Sequence, residues 1–210
     1  MRKKQHITKP TDEQYRAIPR ISNSDLSALH NRMFGIKFFG DSTKAFAFGT
    51  AVHELILEPH TILNLPEGVD IALVQEVART ARDTPSVKWA LRFSKKEEII
   101  LWDCPVTGLP LKSKLDIVYK NKTVYDIKTT TCGTIQAFAK TAESYGYDRQ
   151  AAFYLDSVGA KNFVFVVLSK TKKDTIFIVT CTKEFIEQGR KKYKKLLKTW
   201  SDSNHKLPNT

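Results

Sequence analysis

The chain has 210 residues, enough for one domain with a substantial core, and its composition of 41% hydrophobic and 27% charged residues is that of a globular protein. No apolar run approaches the roughly 20 residues of a membrane-spanning helix, and MRKKQHITKP has no apolar segment behind its basic residues, so it does not read as a secretory signal. Lys and Arg number 34 against 22 Asp and Glu, a formal +12, which points to a polyanionic partner such as nucleic acid.

The three cysteines, Cys104, Cys132 and Cys181, are odd in number and form no C-x-x-C pair. That speaks against a zinc site, an iron–sulfur cluster or a disulfide framework, and fits a cytoplasmic setting. Residues 1–20 are polar and are expected to form a flexible segment ahead of a single domain over 21–203, with 204–210 as a tail.

In chain order, ISNSDLSALHN opens a helix with Ser22 or Ser24 as its N-cap. AFAFGTAVHELILE (45–58) is a strongly apolar helix ended by Pro59, and a third helix runs from Asp70 to Arg82. EEIILW (97–102) reads as a strand and TGLP (107–110) as a turn, with strands following at 111–119 and 123–129. Residues 134–158 read as helix, with a break at Tyr145-Gly146, and strands follow at 162–169 and 175–182. The last helix, 183–200, is amphipathic: Phe185, Gly189, Tyr193, Leu196, Leu197 and Trp200 recur at helical spacing. Its RKKYKKLLK run (190–198) is either a solvated surface or a face for nucleic acid. This order predicts an α/β (α+β) fold with a central mixed sheet flanked by helices.

VYDIKTTT (124–131) raises a chemical question, because Asp126 and Lys128 interrupt a strand and share one of its faces. They would make an ordinary surface ion pair if the strand were half exposed. A three-residue loop, Lys120-Asn121-Lys122, pairs Val118 with Val124, Ile117 with Tyr125 and Asp116 with Asp126. The opposite face then carries Leu115, Ile117, Tyr119, Tyr125 and Ile127 as a buried set, and a one-residue slip would bury an aspartate. Carboxylates roughly 4.5–5.5 Å apart across a sheet repel one another unless a cation lies between them. Oxygen donors suit Mg²⁺ or Mn²⁺. Lys128 beside such an ion would orient or deprotonate water, or neutralise charge on a phosphate. Upstream, Gly49 and His53 lie one helical turn apart, leaving room beside the imidazole; downstream stand Tyr147 and Gln150. By themselves these are unexceptional helix residues.

The ordered set G-x-x-x-H, Asp, D-x-K, Y-x-x-Q resembles the RecB-like branch of the PD-(D/E)XK nuclease superfamily. With ISNSDLSALHN and LWDCPVTGLPLKSKLDIVY, the chain from Ile21 to Asp156 is similar to the exodeoxyribonuclease VIII (RecE) type of phage and prophage exonuclease. Leu115 stands where the proline of the superfamily's name would be, and FGIKFFGDSTK lacks the proline found there in the family. The resemblance implies a restriction-endonuclease-like core and metal-dependent hydrolysis of DNA. It implies that His53, Asp116, Asp126 and the Ile127 carbonyl hold Mg²⁺, with Mn²⁺ able to substitute. It makes Lys128, Asp116, Asp126 and Gln150 the catalytic set, supported by Glu97, Tyr147 and Thr129. Arg149, Arg190, Lys191 and Lys194 are expected along the DNA path. Family behaviour further implies 5′-to-3′ digestion from double-stranded ends, a ring-shaped homo-oligomer and a single-strand annealing partner. The alternatives are an endonuclease or nickase of the same superfamily, or a DNA-binding module without catalysis. The related CRISPR adaptation nucleases carry four cluster-binding cysteines that this chain lacks.

Overall fold

The structure, a computed structural model, describes residues 5–7, 11–37, 42–171, 175–203 and 206–208. Part of the FGIKFFGDSTK stretch and most of the expected 204–210 tail lie outside the described residues.

Among the described residues, one mixed sheet orders its six strands as they occur in the chain. They are β1 (Gln5–Ile7), β2 (Lys95–Asp103), β3 (Pro110–Tyr119), β4 (Thr123–Thr130), β5 (Asn162–Ser169) and β6 (Ile176–Thr180). Every neighbouring pair is antiparallel except β4 and β5. The antiparallel joins need only turns. Gly108 (φ 72°) turns β2 into β3, and Lys120 and Asn121 (φ 47° and 53°) turn β3 into β4. A parallel join needs a crossover. Here it is made by α6 (Ile135–Ser144) and α7 (Tyr147–Val158).

The remaining described helices are α1 (Asp12–Ala17), α2 (Asn23–Met33), α3 (Thr43–Leu57), α4 (Ile71–Asp83), α5 (Pro85–Phe93) and α8 (Lys183–Asp202). They cover both faces of the sheet. Phe163, Phe165 and Val167 of β5 pack with Leu26, Phe153, Tyr193 and Trp200 from α2, α7 and α8. Val166 and Leu168 pack with Val52, Ile56, Val77 and Val87 from α3, α4 and α5. This alternation along a strand buried on both sides explains the near-continuous apolar run NFVFVVLS.

Local signals set the helix ends. Ser22 caps α2 in a reciprocal box with Asp25, whose Oδ2 accepts from the Ser22 N–H at 2.7 Å. Asp70 caps α4 through the Leu73 N–H, and Gly146 (φ 67°) separates α6 from α7. Two helices were not expected from the sequence. α5 begins at Pro85 immediately after α4, over a stretch assigned no element from the sequence, with the proline in its first turn.

The N-terminal segment departs from expectation. Residues 5–7 form the edge strand against β2, and Thr11 caps α1 with a capping box. Lys112 of β3 is buried and sets its Nζ at 2.8–3.0 Å from the carbonyl oxygens of Tyr15, Arg16 and Ile18. A buried ammonium needs acceptors, and the carboxyl end of a helix supplies them. Part of 1–20 therefore belongs to the domain, although its polar residues read as a solvated arm.

The expected one-sided burial of the hairpin also differs. Ile117, Tyr125 and Ile127 join the α3–α5 core, but Leu115 packs with Val118 and Val124 in the other. The alternation of β3 is thus interrupted around Asp116. Across from it the pairs Lys96↔Ile117 and Glu98↔Leu115 place Glu97, which takes φ 53°.

Candidate active site

β3 and β4 pair as Tyr119↔Thr123, Val118↔Val124 and Ile117↔Tyr125, the register expected from the sequence. The pairing stops there. One step on, the Asp116 side chain occupies the gap, and its Oδ2 accepts the Ile127 N–H at 2.8 Å. A carboxylate replaces a backbone carbonyl, so the strands part where Asp116 and Asp126 stand.

Asp126 is 2% exposed. Its Oδ1 accepts from Gln150 Nε2 at 3.0 Å, and Lys128 Nζ lies 2.6 Å from its Oδ2. That second contact is an ion pair outside aligned hydrogen-bond geometry, leaving Oδ2 buried without an aligned donor among the described residues. Burial pushes the Asp126 carboxyl above the usual carboxylate range and Asp116 adds to this, against the pull of Lys128 and His53. For Lys128, burial works against the charge, but Asp126, with Tyr147 and Asp116, outweighs it and holds the ammonium above its ordinary range. The same ammonium lies 4.9 Å from the centre of the Tyr147 ring. Lys128 is therefore a cation here. The surface-ion-pair reading fails because its partner is buried.

α7 brings both partners to the strand. The left-handed Gly146 starts the helix, and Tyr147 and Gln150 follow one turn apart on the side facing β4. Tyr154, one further turn on, stands on the same side of α7 as Gln150, which acts on its hydroxyl against the upward push of burial. Its spacing of four from Gln150 was the available signal, and it passed unread.

α3 supplies His53, whose Nε2 lies 2.7 Å from the Ile127 carbonyl oxygen. A carbonyl only accepts, so Nε2 carries the proton. Nδ1 faces Asp116 Oδ2 at 3.5 Å. His53, Asp116 and the Ile127 peptide thus form a closed ring across three elements. Gly49 allows this approach, but not by making room for the imidazole. A Cβ there would stand 3.3 Å from Thr129 Oγ1, so the small residue lets α3 come down on β4.

The supporting residues divide. Glu97 lies across from Asp116 by register, yet its carboxylate pairs with Lys114 Nζ at 3.3 Å, and Lys114 also holds Asp12 at 2.6 Å. Arg149 does not line an open path: it is buried and donates to Asn23 Oδ1 and Ser27 Oγ, tying α7 to α2. Arg190 is spent within the fold as well. Its Nε and Nη2 grip Asp156 at 2.9 and 2.7 Å, and it also pairs with Glu187. A guanidinium at a helix packing seam takes the acceptors there before it can serve solvent. Lys191 is exposed and Lys194 half-buried on α8.

Asp116, Asp126, His53 and the Ile127 carbonyl make a set of hard oxygen donors plus imidazole. Among the described residues, no three His, Cys, Asp or Glu side chains gather at metal-binding spacing. In this arrangement Asp126 turns to Lys128 and Gln150, and His53 to the Ile127 carbonyl. The donor chemistry and the buried Asp126 oxygen fit a divalent cation of the magnesium class.

No curated protein sequence matches the chain significantly. In fold it is similar to a candidate exonuclease from Eubacterium rectale, with a TM-score of 0.62 and 16% identity over 91% of this chain and 86% of that one. Weaker likenesses reach an alkaline exonuclease from Laribacter hongkongensis (TM-score 0.43, 11% identity, 89% and 90% covered). A phage-related exonuclease from Haemophilus somnus is comparable (0.44, 15%, 87% and 94%). The fold is restriction-endonuclease-like. Over residues 68–206, which include Asp116, Asp126, Lys128 and Gln150 but not His53, the chain matches the PDDEXK-like domain of unknown function DUF3799, and it belongs to that family.

Proposed function

We propose that this protein is a divalent-metal-dependent exodeoxyribonuclease acting on double-stranded DNA ends, 5′ to 3′, in phage-type recombination or DNA processing. One observation carries this reading: Asp126, Lys128 and Gln150 meet where β3 and β4 part around the Asp116 carboxylate. The fold shared with the Eubacterium rectale protein and the net charge of +12 support DNA as the substrate.

Asp116, Asp126, His53 and the Ile127 carbonyl would hold Mg²⁺, with Mn²⁺ as a substitute. Bound there, such an ion polarises a phosphoryl oxygen and lowers the pKa of water. Lys128, held as an ammonium, sets positive charge beside the acids and serves to neutralise charge developing on the phosphate. Gln150 fixes the Asp126 carboxylate, and the Tyr147 ring supports the ammonium. His53 buttresses β4 through Ile127. Glu97 and Thr129 act at one remove, through Lys114 and the seat of α3. A ring-shaped homo-oligomer that passes a 3′ tail to a single-strand annealing partner completes the reading.

The test compares linear with covalently closed duplex DNA, in Mg²⁺ or EDTA, using wild type and Asp126→Ala. Mg²⁺-dependent loss of linear DNA alone, absent in the variant, is expected. End-labelled strands report the polarity. Cutting of the closed circle would assign an endonuclease instead, and binding without cleavage a DNA-binding module.

A further inference from the structure

Beyond the carboxylates, at the β3–β4 turn, aromatic rings stand in open solvent. Trp89 and Phe93 of α5 are 42% and 54% exposed. They lie one helical turn apart with ring centres 5.5 Å apart, and Trp89 meets Tyr119 at 4.7 Å. Cations sit on this cluster: Arg92 lies 5.5 Å from the Phe93 ring centre, and Lys120 Nζ lies 5.3 Å from that of Tyr119. Lys88 and Lys122 are exposed on the same helix and turn. Neither segment, 84–94 or 119–125, contains an acidic residue.

The core does not require these rings. α5 buries Val87 and Ala90 toward its own core and leaves Trp89 and Phe93 outward. Adjacent exposed aromatics are unfavourable in water unless something covers them. The cations narrow the choice, since a protein partner with an apolar face would gain little from Lys88, Arg92 and Lys120. Aromatic faces interleaved with cations are what a single nucleic-acid strand requires: bases to stack and phosphates to pair. Within a duplex the base faces are stacked on one another, so away from its ends it cannot offer them.

We propose that Trp89, Phe93 and Tyr119, edged by Lys88, Arg92 and Lys120, form a stacking platform for single-stranded DNA. Tyr119 lies three residues along β3 from Asp116, about 10 Å at strand rise, so a strand on the platform lies beside the carboxylates. That use rests on the nuclease reading; the binding does not.

The experiment keeps the two apart. A short fluorescein-labelled oligothymidylate is titrated in EDTA, where no cleavage occurs, following anisotropy and tryptophan emission. Trp102 and Trp200 are buried, so quenching reports on Trp89. Wild type is expected to bind with quenching. Trp89→Ala/Phe93→Ala should bind about tenfold or more weakly and lose the quench, while Trp89→Tyr keeps most of the affinity. Equal affinity for the double variant, or binding without quenching, would overturn the proposal. So would concentration-dependent self-association that the double variant abolishes without affecting oligonucleotide binding, which would assign the patch to a second copy of the chain. Mg²⁺-dependent cleavage of linear duplex is measured separately. Its absence beside intact stacking sinks the nuclease reading alone; cleavage without stacking sinks the platform alone.

Discussion

Gln150 donates its Nε2 hydrogen to Oδ1 of Asp126 at 3.0 Å, binding the first turn of α7 to a carboxylate that is 2% exposed. Without that donor, Oδ1 is left buried with its hydrogen bond unmade. Gln150→Leu should therefore lower Mg²⁺-dependent cleavage by about 10- to 100-fold, the usual cost of losing a group that orients a metal ligand. Gln150→Glu should do worse, because it sets a second carboxylate against Asp126. Initial rates on linear duplex across a Mg²⁺ titration check this, and an unchanged rate in Gln150→Leu would remove Gln150 from the site.

The Asp126–Lys128 pair couples stability to the site. Asp126→Asn strands a buried ammonium, and Lys128→Met strands a buried carboxylate, so each should destabilise by about 3 kcal/mol. Asp126→Asn/Lys128→Met leaves no uncompensated charge and should recover part of that loss. All variants should be inactive in Mg²⁺. Urea midpoints measured in EDTA give the stabilities. If the double variant were as unstable as the sum of the singles, the two groups would not be paired in the folded protein.

The acids and the lysine were legible because their chemistry conflicts with their strand. An aspartate and a lysine on one face of an apolar run, with a turn of fixed length, define a register, and pairs such as Val118↔Val124 follow it. The parting of the strands at Asp116 was not legible, since no periodicity marks where a side chain will take a backbone hydrogen bond. Arg149 and Arg190 were misread for a related reason. Their acceptors, Asn23 and Ser27 for one and Asp156 for the other, lie on helices distant in sequence, so in the sequence both look like unspent charge. α1 was missed because its anchor, Lys112, lies nearly a hundred residues downstream.

Cys181 offers a pH test independent of catalysis. Burial pushes its thiol from 9.0 up to about 12, with the Asp126 charge adding to the effect. Above pH 9 the unfolded chain loses this proton while the folded chain keeps it, so the folded state loses stability as pH rises toward 12. The slope approaches about 1.4 kcal/mol per pH unit for one such group. Urea unfolding at pH 8 and pH 10 should show a smaller drop in Cys181→Val than in wild type. An identical drop in both would mean that the thiol titrates normally in the folded protein.

Gly189 joins the basic helix to the site. It lies on the buried face of α8, and a Cβ built there would stand 1.8 Å from the Asp148 carbonyl oxygen and 2.7 Å from the Arg149 nitrogen, both backbone atoms of α7. Backbone cannot step aside as a flexible side chain can, so Gly189→Ala must push α8 and α7 apart. Over-packing of this kind costs about 1–3 kcal/mol. The shift falls on the first turn of α7, the turn that aims Tyr147 and Gln150 at Lys128 and Asp126. Asp148 beside it is also held from α8, by Lys192 Nζ at 2.5 Å. Gly189→Ala should therefore lower both the melting temperature and the cleavage rate. Gly159→Ala, at the other end of α7 where φ is 71°, should cost stability through backbone strain but leave the rate per folded molecule unchanged. Equal rates for the two variants, normalised to folded protein by circular dichroism, would show that the α7–α8 seam does not position the site.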